Sequence, residues 1–425
     1  MPHRKCKRKH NRHARALAAV VAALCLTAQT HTPTQAQTSP YYLGISLAVL
    51  NDSNVFRSRD NSVLPTGLSR ADTVITTSLL AGIDQPIGRQ RVFGTLSLSD
   101  NRYANNDYLN YPGYGLNAGV DWSTVERISG TLSMRANQVQ RKFNESSGAT
   151  IDPLKNIENS LGVDAAFRVG AVTKWSAEAS LGFSRVGYSN PAFANSETDQ
   201  RSASIGTRWS PSSIINFGSA LRYTLGNYPA RNDRFTAYSI DLTSAWTPGG
   251  ASSAYIRLSP TRLAYDNATA SDFSGLTGAA TWQWQPTGKL QLNTTLSRDT
   301  NEDSYNQRLL VPVSPTQVES LQITTNDVNS TTRLRIALDY AATGKIAATT
   351  SASVARRSLN RTNSLVALSD DDLTSTVSLG ARWSPTRGTQ LGCEFARESR
   401  TTGRGVLSLP YRANTFGCTG QLLLR

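Results

Sequence analysis

The chain has 425 residues, 17% of them charged, a formal net charge of +14 and only four histidines and four cysteines. All four histidines (His3, His10, His13 and His31) lie near the N-terminus. The remainder therefore cannot run Ser-His or Cys-His nucleophilic catalysis or build the usual histidine-containing metal sites, and it holds neither a glycine-rich phosphate loop nor a metal-spaced cysteine cluster.

Residues 1–36 read as a secretory signal peptide. "MPHRKCKRKHNRHAR" is basic, "ALAAVVAALCL" is a short apolar run, and "TPTQA" offers a small-residue exit after Ala36. The run is too short for a membrane anchor. Cleavage would remove seven basic residues and leave a charge of 37 − 30 = +7. Much of the basicity is thus targeting, and nucleic acid is not an expected partner.

From Tyr42 onward the chain alternates. In "IINFGSALRYTLG" (214–226), Ile215, Phe217, Leu221, Tyr223 and Leu225 share one face, and Asn216, Arg222 and Thr224 the other. "GLNAGVDW" (115–122), "TTRLRIALDY" (331–340) and "LTSTVSLGARW" (373–383) behave alike. A period of two over about ten residues means strands with one apolar and one polar face.

Short turns follow a tryptophan: Trp122 before "STVER", Trp209 before Ser-Pro, Trp246 before Thr-Pro-Gly, Trp284 before Gln-Pro-Thr-Gly and Trp383 before Ser-Pro-Thr-Arg-Gly. Trp175 stands just after "GAVTK". Longer polar segments intervene at 57–70, 143–156, 189–200, 226–234, 301–327 and 358–371. Two unlike rims, one with short turns and aromatics, mark a transmembrane barrel of the bacterial outer membrane. The expected fold is all-β: one antiparallel barrel of about 18 strands over 37–425, with its N- and C-termini in the periplasm and lipid around its wall. Segment 301–327 reads as the longest loop, folded into the lumen or standing as an extra hairpin. "SDDD" (369–372) reads as a solvated charge run or a divalent-cation site.

The last strand, "NTFGCTGQLLLR", ends Leu-Arg. Bacterial barrels usually finish on an aromatic residue that the outer-membrane assembly machinery, an expected partner, recognises. Cys393 and Cys418 flank the loop around 403–410 at similar distances and share the apolar face. A hairpin would set them opposite each other, and a disulfide is expected in an exported protein.

Inward-facing arginines are the candidate lumen contacts: Arg135, Arg222, Arg257, Arg333 and Arg335. They would either favour an anionic or polar solute or pair with the inward acids Asp121, Asp164, Glu178, Asp241 and Asp339 as wall structure. Arg333 and Arg335 alternate on one strand after the long 301–327 segment and are the most exposed candidates. No catalytic residue, metal or cofactor is expected.

"NDSNVFR" (51–57), "SRADTVITTSLLAGIDQPIGRQR" (69–91) and "NRYANNDYLNYPGYGLNAGVDW" (101–122) go beyond barrel grammar. Asp52, Asn54, Val55, Phe56, Arg57, Asp72, Gly88–Arg91, Asn101–Tyr103 and the Tyr111–Tyr114 run resemble the outer-membrane barrels encoded with exopolysaccharide and exosortase systems (EpsL-type). That resemblance, confined to residues 41–135, implies an exit channel for an extracellular polysaccharide. Residues 88–91 are then a plain turn or a docking site for a periplasmic polysaccharide-export protein. A general diffusion porin is the alternative, and an outer-membrane enzyme ranks last.

Overall fold

The computed structural model describes residues 39–424, apart from 125–126, 144–152, 171–172, 267–271, 315–316 and 363–366 and the side chains at 301–328, 362 and 367. The expected signal segment lies outside the described residues. Strands β1 (Tyr41–Asp52), β2 (Asp72–Ile87), β3 (Gln90–Tyr103), β4 (Tyr111–Ser123), β5 (Ile128–Gln140) and β6 (Ile157–Val169) open the barrel. Next come β7 (Trp175–Tyr188), β8 (Thr198–Trp209), β9 (Ile215–Tyr228), β10 (Asp233–Trp246), β11 (Ser252–Tyr265) and β12 (Phe273–Thr287). The last six are β13 (Leu290–Ser314), β14 (Gln317–Tyr340), β15 (Ile346–Thr362), β16 (Ala367–Trp383), β17 (Thr389–Thr402) and β18 (Tyr411–Leu424).

Each strand pairs antiparallel with the next, and β18 returns to β1 through a ladder from Leu43–Leu424 to Asp52–Thr415. Closure is the physical requirement here. An open edge in lipid would leave a row of backbone groups unbonded at several kcal/mol each. The protein is a closed 18-stranded antiparallel barrel.

The alternation dictates which way each side chain faces. On β9, Phe217, Leu221 and Leu225 stand exposed on the outer surface, at 40%, 62% and 46%. The same pattern recurs around the ring, with Leu79 on β2, Leu132 on β5, Ile205 on β8 and Leu379 on β16. A water-soluble protein would not present so continuous an apolar band, whereas a hydrocarbon surround requires one.

The strands tilt. From Trp209 at one end of β8, successive ladder partners run through Phe217, Ser244, Ile256, Ala280 and Leu296. They continue through Leu334, Val354, Ser375 and Ser399 to Arg412, at the opposite rim on β18. A path perpendicular to the strands thus climbs from one rim to the other, as tilted barrel strands require.

One rim carries short turns. Two of them hold only two residues, Ile87 to Gln90 and Thr287 to Leu290, and in the first Gly88 has a φ of +63°, which suits glycine. Trp122, Trp175, Trp209, Trp246, Trp284 and Trp383 all lie at this rim. Trp175 stacks on Trp209 and Trp209 on Phe217, both at 5.9 Å, and Trp282 stacks on Trp284 at 5.8 Å. Cys393 and Cys418, directly opposed on β17 and β18, are joined as a disulfide with Cα atoms 4.1 Å apart.

Three expected loops are largely strand. β9 and β10 leave only 229–232 between them, and β15 and β16 pair as far as Thr362–Ala367. Segment 301–327 takes the second of its two expected forms, an extra hairpin: the β13–β14 ladder continues to Ser314–Gln317, although β12 stops pairing with β13 at Arg298. Above the lipid both faces of a strand meet water. The alternation that reveals a strand is lost there while its hydrogen bonds continue.

Candidate functional site: a neck in the lumen

Almost all fully buried side chains lie toward the loop rim. Phe56, Leu109, Leu359 and Leu407 are at most 1% exposed, and Leu409, Tyr411 and Ala413 are buried with them. The loops after β1 (53–71) and β17 (403–410) supply several of these. Phe56 packs edge-on against Phe143 of the β5–β6 loop, with ring centroids 5.0 Å apart.

Polar side chains hold this region in shape. Asp72, 1% exposed, accepts hydrogen bonds from the backbone N–H of Thr73, Ala104, Asn105 and Asn106 and from Asn106 Nδ2. Asn106 in turn bonds Ser69 through both its N–H and its carbonyl. Asn54 donates to the carbonyls of Ser58 and Arg412 and accepts from Ser58 N and Oγ.

Arg57 sits at the turn of this loop with φ +50°, an uncommon backbone conformation for a non-glycine residue. Its Nη1 reaches both Asp52 oxygens at 2.9 and 2.7 Å, and its Nε reaches Glu398 Oε1 at 3.2 Å. Burial opposes its charge, but Asp52 and Glu398 outweigh that and hold the guanidinium above its usual pKa. Tyr411 donates to the same Glu398 oxygen at 2.5 Å. The loop is thereby tied from the end of β1 to the wall at β17.

The result is a neck. A cavity of about 530 Å³ is lined on one side by Glu158 and Tyr188 of β6 and β7, and on the other by Arg333, Ser353 and Thr374 of β14, β15 and β16. β6 and β15 lie nine strands apart in a ring of eighteen, half the circumference. Opposite walls can share one small cavity only because Arg57, Arg141, Lys142 and Phe143 from inward loops narrow the space between them.

Charge at the neck is unequal. Arg57, Arg141, Lys142, Arg333, Arg357 and Arg400 face three carboxylates, Glu158, Asp372 and Glu398. Arg357 is paired with Asp372 at 2.6 Å. Arg333 has no ion-pair partner among the described residues.

The five candidate arginines divide. Arg222 and Arg257 are brought together on Asp241, at 3.0 and 3.9 Å, and Ser259 Oγ donates to the same carboxylate at 2.5 Å. A second arginine–acid–arginine set, Arg168 and Arg208 on Glu178 at 2.7 Å each, lies nearer the turn rim. Arg333 lines the neck, whereas Arg335 and Arg135 face the lumen away from it. Both are exposed without an ion-pair partner among the described residues, on β14 and β5, again nine strands apart.

Sequence reading missed Glu398, Tyr411, Arg141 and Lys142, which carry no pattern of their own. Their signal, where one existed, lay in the residues they meet: Asp52, Asn54, Phe56, Arg57 and Asp72 stood out, but as a resemblance. The "SDDD" run is largely accounted for by structure. Asp370 accepts from the N–H of Asp371, Arg404, Val406 and Leu407, Asp371 lies 3.5 Å from Arg356, and Asp372 holds Arg357.

These features define the class: an outer-membrane β-barrel of porin architecture. No family model and no curated protein matches the chain. Among solved structures it is similar to Occ/Opd porins of Pseudomonas aeruginosa. OccK11 (OpdR) is 12% identical, with 91% of this chain and 96% of that one covered and a TM-score of 0.44. OccK5 (OpdH) is 10% identical, with 91% and 98% covered and a TM-score of 0.45. OpdK, solved with vanillate, is 10% identical, with 90% and 99% covered and a TM-score of 0.45.

The likeness is one of architecture. It corrects the expectation of a polysaccharide exit channel, because the barrels this chain resembles are porins. The lumen itself has inward loops packed on its wall.

Proposed function

We propose that the protein is a non-enzymatic outer-membrane porin, exported with removal of residues 1–36, through which small polar solutes diffuse with a preference for anions. The observation that carries this reading is the neck: a polar cavity between opposite walls, with cations in excess of carboxylates. A wide lumen filled with water conducts without selection, whereas a narrow one with a net field sorts solutes by size and charge. Arg333 and Arg335 are the proposed contacts, because neither is neutralised by a carboxylate among the described residues and both present a planar fork suited to carboxylate or phosphate.

Proteoliposome swelling and planar-bilayer recording test it. Purified barrel should admit small sugars and show an anion-selective reversal potential. Arg333→Ser with Arg335→Ser should keep the heat-modifiable band of a folded barrel and shift that potential toward zero. A folded wild-type barrel that neither swells liposomes nor conducts would end the porin reading.

A further inference from the structure

Arginine also appears on the outside of the barrel, and there its placement is one-sided. Alternation puts Arg201 on the same face as Ile205, Arg262 with Leu258, Arg298 with Leu296 and Arg397 with Phe395, all exposed. Arg234 and Arg412 stand outward in the same way. None of these six has an ion-pair partner among the described residues. Three further outward arginines do: Arg102 with Asp100, Arg185 with Asp199 and Arg356 with Asp371.

Their heights agree. Measured along its own strand from the turn rim, Arg201 is eight residues from Trp209 (209 − 201) and Arg298 eight from Leu290 (298 − 290). Arg262 is ten from Ser252 (262 − 252), and Arg234 twelve from Trp246 (246 − 234). At roughly 3.3 Å per residue and a tilt of about 40°, eight to twelve residues climb roughly 20–30 Å, which brackets the apolar band of an outer-membrane barrel. Among the described strand residues, no outward arginine lies at the turn rim, where tryptophans stand instead.

Strands β8, β10, β11, β13, β17 and β18 all contribute, so the unpaired arginines recur around much of the ring rather than forming one patch. Each guanidinium stands on the loop side of the apolar outer wall. An arginine fixed at that level meets the headgroups of the outer leaflet. Unpaired guanidinium groups favour phosphate, which they can bind through two parallel N–H···O bonds.

We propose that this belt binds the phosphates of a phosphorylated glycolipid in the outer leaflet, so that the barrel carries an ordered annulus of that lipid. This rests only on the barrel's seat in the membrane and not on what passes through the lumen.

The test compares diphosphorylated lipid A with the same lipid after phosphate removal, each mixed with purified, detergent-washed barrel. Bound lipid is counted by native mass spectrometry. Wild type should retain the phosphorylated form and lose most of the dephosphorylated one. Replacing Arg201, Arg262, Arg298 and Arg397 by serine should weaken retention by about fivefold per arginine removed, while replacing them by lysine should retain much of it. Conductance should be unchanged in both. Equal binding of the two lipids by wild type, or undiminished retention by a folded serine variant, would overturn the proposal. If the serine variant fails to assemble, the two-lipid comparison on wild type decides alone.

Discussion

The two ends of this barrel solve different problems with the same strands. At the turn rim there is little interior to speak of: short turns, tryptophans against the headgroups, and inward polar side chains over the lumen. At the loop rim the lumen is partly filled by a small packed unit, in which Phe56, Leu407 and Tyr411 are buried and Asp72, Asn54 and Asp370 hold turns together. The turn end is specified by a repeating pattern, so any one residue matters little. The loop end is specified by single side chains, as in a globular core, so a single substitution should matter much.

The largest expected effect follows from Asp72. Replacing it by alanine would leave the N–H groups of Asn105 and Asn106 without the acceptor they share, whereas Ala104 N–H keeps the Thr73 carbonyl. The Asn106 N–H is buried, and such a donor left unpaired costs about 1–3 kcal/mol. Amide exchange at Asn106 should accelerate by roughly a hundredfold, a factor equivalent to about 3 kcal/mol, while amides in β8 and β9 keep their protection. Unchanged exchange at Asn106 would erase the distinction between the two ends.

A smaller effect, and a more functional one, is expected from Arg57→Ala. The substitution removes the tie between Asp52 and Glu398, while alanine keeps the Cβ that makes the left-handed backbone costly, so nothing offsets that strain any longer. With the loop released, single-channel conductance should rise by roughly twofold and its noise should increase. A conductance identical to wild type would mean that the inward loop does not set the width of the neck.

The same contrast explains what could be read beforehand. Strand alternation, the tryptophan–turn repeat and the even strand number were legible because the lipid imposes one rule on every strand. Phe217 and Leu221 obey it as Leu334 and Ile336 do. The neck was not legible in that way. Glu398 and Arg57 meet across 341 residues of sequence, and nothing local to either announces the other. Arg222 and Arg257 could be placed inward, but only the register shows that both close on Asp241. For 301–327 two forms stood open, a fold into the lumen or an extra hairpin, for a related reason: once a strand leaves the lipid, periodicity no longer marks it.

The smallest effect should come from the turn rim. Trp209 is stacked between Trp175 and Phe217 but remains 40% exposed at the membrane boundary. An aromatic pair contributes about 0.5–1.5 kcal/mol beyond its buried area. Neighbouring tryptophans at the same rim still anchor the barrel when one is lost. Trp209→Ala should therefore lower the temperature at which the folded band disappears on a heat-modifiability gel by only a few degrees, about 1–3 kcal/mol for the two pairs together, and leave conductance and loop exchange as they are. Replacing Trp175 as well should add little, since the two act as one stack. A collapse of assembly from the single substitution would show that the turn rim, too, depends on individual residues.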